Sequence, residues 1–143
     1  MKRFKLVPGA LGLLLAASAP LFGGPTFGAQ ELTRQESLAI GTLRSIASAE
    51  ATYAAKYGRP GTLVELVEKG HLAARIKDAA VLDGYRLGEV SIDVANKTWE
   101  FKAEPVDETQ GKHAFNVVDD FTIRYQVGLI APKGKTGKVF GAE

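Results

Sequence analysis

The spacing of apolar residues changes once along this chain, near Gly84. Upstream of it, Ala39, Leu43, Ile46, Ala47, Tyr53, Ala54 and Tyr57 recur at helical intervals with a broad apolar face. Thr33 and Glu36 precede them as a T-x-x-E capping box, and alanine is abundant throughout. Gly58 suits a left-handed C-terminal cap, and Pro60 prevents the helix from continuing. The pattern predicts a helix over 34–57, about 36 Å long at ~1.5 Å per residue. A second capping box, Thr62 to Glu65, opens a short helix predicted over 63–69 and closed by Gly70. Leu72 and the segment AARIKDAAV continue the core beneath a loop or a further helical turn.

From Gly84 the period becomes two. In YRLGEVSID, Tyr85 and Leu87 share one face, and Val90 and Ile92 share the other; the slip at Gly88 and Glu89 predicts a β-bulge. KTWEFKA alternates cleanly, with Trp99, Phe101 and Ala103 on one side and Thr98, Glu100 and Lys102 on the other. One dry and one wet face predicts an antiparallel sheet. DVANK is short enough for a hairpin between these strands. The polar loop PVDETQGK leads to a third strand through Phe115 and Val117. Asp119 and Asp120 make a turn, after which Phe121, Ile123, Tyr125 and Val127 alternate as a fourth strand. Pro132 ends ordered pairing, and the glycine- and lysine-rich KGKTGK predicts a mobile tail over 133–143.

The fold class expected is therefore α+β: a long N-terminal helix packed on a three- to four-stranded antiparallel sheet. Trp99, Phe101, Phe115, Ile123 and Tyr125 are the core candidates of the sheet, and Leu43, Ile46 and Tyr53 those of the helix.

The first 29 residues differ in character. Lys2, Arg3 and Lys5 precede an apolar run from Leu6 to Ala19, followed by small residues with Pro20 and Pro25. These are the parts of a secretory signal peptide, and the run is shorter than the roughly 20 residues of a spanning helix. Cleavage after Ala29 would leave a globular domain over 30–132, the mobile tail, and no stable membrane span. It would also remove three of the 18 basic residues, leaving 15 against 16 acidic ones, a net charge of −1. A near-neutral domain has no electrostatic reason to bind nucleic acid. There is no cysteine, so an ordinary hydrophobic core has to hold the exported domain without a disulfide.

The element order and several stretches resemble the globular half of type IV pilin-like proteins, including type II secretion pseudopilins. AIGTLRSIASAEATYAAKYG is similar to the end of the long pilin helix, and TLVELVEKGHL to the segment after it. DGYRL, FKAEPVDETQGKHAF and IRY are similar to the family's sheet; together the resemblance covers about Gln35 to Tyr125. The chain also departs from that pattern. The fifth residue after Gly28 is Thr33, where a pilin precursor has glutamate, and a polar stretch follows in place of about 20 apolar residues. Phe121 and Thr122 stand where a glycine often precedes IRY. The resemblance implies a pilin head exported alone, like the head subunit of a split pilin. Leu32, Leu38, Ala39 and Ile40, with Leu43 below them, would then form an exposed apolar stripe for docking a protein partner, either a short helical pilin subunit or a second copy.

Other chemistry is sparse. His71 and His113 are the only histidines and read as surface or loop residues; a zinc site would need three or four nitrogen or sulfur donors. Asp107, Glu108, Asp119 and Asp120 are turn and loop carboxylates without the D-x-D-x-D density of a calcium loop. Ser37, Ser45 and Ser48 have no histidine near them in sequence. Trp99 and Tyr85 read as core rather than as a ligand platform. No cofactor, metal or catalytic residue is assigned. The expected function is a non-enzymatic, exported structural subunit that assembles through its N-terminal helix. The alternative is a solitary periplasmic binding module, which would present a closed, polar helix surface and a pocket lined by sheet loops.

Overall fold

The computed structural model describes residues 26–27 and 30–142. The expected leader and its expected cut site fall largely outside the described residues. A two-residue strand β1 (Thr26–Phe27) pairs with β2 (Gln30–Glu31), and α1 (Arg34–Tyr57) follows. Both predicted caps form. The Thr33 hydroxyl accepts from the Glu36 N–H while the Glu36 carboxylate accepts from the Thr33 N–H. Gly58 closes the helix at φ 71°, its N–H donating to Ala54 O at 2.8 Å. The second capping box opens α2 (Leu63–Glu68) in the same way.

Six strands form one antiparallel sheet in sequential order: β3 (Val81–Leu82), β4 (Tyr85–Asp93), β5 (Thr98–Pro105), β6 (His113–Val118), β7 (Ile123–Val127) and β8 (Lys138–Val139). The expected three- to four-stranded sheet is therefore corrected to six. The two additional strands are the edges, each only two residues long, too short for a period-two pattern to register. β3 enters β4 through Asp83 and Gly84, both at positive φ, in a tight hairpin turn. The segment expected to be a mobile tail instead returns to the sheet, and β8 pairs with Arg124 and Tyr125. Among the described residues no helix is long and apolar enough to cross a membrane.

Two local expectations also shift. The bulge lies between Glu89 and Ser91, one residue later than the glycine suggested. Gly88 itself stays in register opposite Lys102, whose side chain passes so close that a Cβ would meet its Cε at 2.8 Å. Phe121 belongs to the β6–β7 turn and not to a strand. Its N–H donates to Val118 O, and the Asp120 carboxylate accepts the Thr122 N–H, folding 119–122 back on itself.

α1 lies on the sheet and buries Ala39, Ile40, Leu43, Ile46, Ala47 and Tyr53 against Leu87, Trp99, Phe101, Phe115 and Val117. Of the eight core candidates only Tyr125 remains partly exposed. Each fully buried aliphatic side chain contributes roughly 1.5–3 kcal/mol. The sheet's other face is covered over β6, where Ala114, Asn116 and Val118 are buried. The C-terminal segment lies there: Gly134 N–H donates to Glu100 at 2.9 Å, Asn116 Nδ2 donates to Gly134 O at 2.9 Å, and Ala131 N–H donates to Glu104 at 2.9 Å.

Candidate functional site

The surface expected to dock a partner is distributed differently. Leu32, Ala39, Ile40 and Leu43 are between 0% and 6% exposed, packed into the chain's own core, and only Leu38 is exposed. The expected apolar stripe over 32–43 is thus absent, because the upper end of α1 rests on the sheet and does not extend past it.

The anchoring of that end explains the burial. The Glu36 carboxylate is 1% exposed. Its Oε2 accepts the Thr33 N–H at 2.8 Å; its Oε1 accepts the N–H of Lys112 at 2.9 Å and of His113 at 3.2 Å, and lies 2.9 Å from His113 Nδ1. Burial alone would raise the carboxyl. The hydrogen bonds from Thr33, His113 and Lys112 outweigh it and hold the group below the ordinary glutamate value. His113, expected on the surface or in a loop, is 3% exposed within β6, because only there can its backbone and ring both reach the carboxylate.

The outward face of α1 is uncovered. Leu38, Gly41, Ser45, Ser48, Thr52 and Ala55 are exposed at alternating steps of three and four, which place them along one line of the helix. A Cβ at Gly41 would meet nothing within 4 Å. A groove of about 410 Å³ runs beside this line, lined by Arg44, Ser45, Ser48, Ala49, Thr52 and His71. Both acidic residues of α1, Glu36 and Glu50, are buried, so the charges on its exposed surface are Arg34, Arg44 and Lys56.

At the opposite side of the Glu36 anchor, the loops after β5 and β7 enclose a pocket of about 300 Å³ lined by Glu108, Gly111, Lys112, Val127, Gly128 and Leu129. Val127 and Ile130, 77% and 69% exposed, are the most exposed large apolar residues among those described. Their neighbourhood was read from the sequence only as a strand end. The signal available was the stretch VGLIA, Val127 to Ala131, which carries no polar side chain.

The remaining candidates have local roles. Asp107 accepts from the Thr109 N–H and hydroxyl, and Asp120 pairs with Arg124 at 2.7 Å. Ser45 donates its hydroxyl to Gly41 O. Trp99 and Tyr85 are in the core, and the Tyr85 hydroxyl donates to His113 O at 2.8 Å. Among the described residues no three histidine or carboxylate side chains come together to hold a metal. Glu36 and His113 are two titratable groups side by side, but they face each other inside the core. Comparison with protein-family models, with curated proteins and with solved structures finds no match to this chain.

Proposed function

We propose that the protein is a non-enzymatic, exported, pilin-like structural subunit that assembles with a protein partner through the outward face of α1. The observation that carries this reading is the one-sided cover of the helix. One side is built into the sheet, while the other carries a line of mostly small side chains, Gly41, Ser45, Ser48, Thr52 and Ala55, beside an open groove. Small residues let a second helix approach closely. A long helix followed by a short one and then antiparallel strands supports this reading, though the sheet has six strands and, of the residues first expected to dock, only Leu38 lies on the exposed line.

A second reading has its own observation. The loop-lined pocket beside Val127 is what a solitary binding module would use, with Leu129 and Val127 supplying apolar wall and Lys112 a charge. A photo-crosslinking amino acid placed at Ser45 or Thr52, and separately at Val127, distinguishes the two in cells of the producing organism. Assembly through the helix predicts discrete protein adducts from Ser45 and Thr52 that a Ser48→Arg change abolishes. Adducts from Val127 alone would replace this reading with the second one.

A further inference from the structure

Glu50 is the other buried acid of α1, and nothing above requires it. It is 0% exposed. Its Oε2 accepts one hydrogen bond, from the Gly61 N–H at 3.0 Å, and its Oε1 has no partner. Gly61 is pressed against the Tyr53 ring; a Cβ there would lie 3.0 Å from Tyr53 Cδ1, so the backbone amide is delivered to the carboxyl at close range. Glu50 is thus one tie between the α1–α2 junction and the long helix, beside the Arg59 guanidinium over the Tyr53 ring.

The charges around that acid are unbalanced. From β4, Glu89 reaches in and accepts the Leu63 N–H at 2.8 Å. From α2, Glu65 stands nearby, but it is engaged with Arg59 at 2.7 and 3.1 Å. Arg59, a cation acting on Glu50, also donates to Pro60 O and lies over the Tyr53 ring at 5.3 Å. The side chains of β5 and β6 in the core beneath α1, Trp99, Phe101, Ala103, Phe115 and Val117, carry no charge. His113 is anchored to Glu36, 14 residues and ~21 Å along the helix.

We infer that the α1–α2 junction is a proton-operated latch, closed while Glu50 is neutral and loosened when Glu50 ionises. Burial, reinforced by Glu89 and Glu65 and only partly offset by Gly61 and Arg59, pushes the Glu50 carboxyl up to about 7. An ionised Glu50 places a third carboxylate in an apolar site with one hydrogen bond, and the relief available to it is separation of the 59–65 segment from α1. The latch stands independently of the function proposed above.

The test is amide hydrogen exchange at Gly61 and Leu63, corrected for intrinsic exchange, together with the ¹³C titration of the Glu50 carboxyl, across about pH 5 to about pH 9. In the native chain, protection at both amides should fall by about tenfold or more between about pH 5 and about pH 7 and level off once the carboxyl has titrated. In Glu50→Gln, which keeps an acceptor for Gly61, protection should not change with pH. In Glu89→Gln the transition should move to lower pH and become smaller, since the nearby negative charge that holds the Glu50 proton is removed. A Glu50 carboxyl that titrates in the ordinary glutamate range, or protection at Gly61 that stays level between about pH 5 and about pH 7 in the native chain, would overturn the latch even if Glu50→Gln failed to fold.

Discussion

Glu36 and His113 are 77 residues apart in the chain and 2.9 Å apart in the core. One carboxylate thereby joins the first turn of α1 to β6 through two backbone amides and a ring nitrogen, and to its own N-cap through a third amide. This contact fixes where the helix crosses the sheet, which apolar packing alone would leave free to slide.

Replacing Glu36 with Ala should cost about 3 kcal/mol, because three N–H groups, one buried and two partly buried, lose their acceptor at once. Urea unfolding at neutral pH measures it. A loss under about 1 kcal/mol would mean that water replaces the carboxylate.

Acid should act through the same group. The folded-state value of Glu36 is depressed, so its contribution is complete above the ordinary glutamate value and is lost as pH falls through the folded one. The urea midpoint of the native chain should therefore drop in acid more steeply than that of Glu36→Gln.

Glu50 has the opposite sign. Its folded value is raised to about 7, so the folded chain holds a proton that the unfolded chain has released. Stability should decline as pH rises from the ordinary glutamate range to about neutral, by at most about 1.4 kcal/mol per pH unit, and level off above. Glu50→Gln should remove that slope and be the more stable protein in mild alkali, as measured by denaturant unfolding.

Lys97 sits in the β4–β5 turn at φ 55°, where a Cβ is strained. Lys97→Gly should raise stability by up to about 1 kcal/mol, a Tm gain of a few degrees by calorimetry.

Ending the chain after Pro132 should not be neutral. It removes β8, the Gly134 contacts to Glu100 and Asn116, and the bond from the Phe140 N–H to Ile123 O. Uncovering the buried Asn116 should cost about 2 kcal/mol or more, measured as a lowered thermal midpoint.

What could be read from the sequence followed local rules. Thr33, Glu36 and Gly58 mark both ends of α1 because capping is decided within a turn of chain, and Trp99 to Ala103 reveal their strand because alternation is visible over five residues. The edge strands escaped because two residues carry no period, although Asp83–Gly84 is a hairpin signal that could have located β3. The docking stripe was misjudged for a different reason. Leu32, Ala39, Ile40 and Leu43 are apolar whether they face a partner or the chain's own sheet, and only the long-range tie from Glu36 to His113 decides which. Glu50 could not be distinguished from a solvated helix glutamate, since its environment comes from Gly61, Glu65 and Glu89.

The Glu36 anchor also governs how the molecule carries load. A pull on the segment before Thr33 does not simply peel the first helical turn. It passes through one carboxylate into the amides at the start of β6, a strand hydrogen-bonded to β5 on one side and β7 on the other. Tension on that segment thus meets the carboxylate's bonds to the start of β6 as well as the helix itself, and those bonds yield before the strand ladder does.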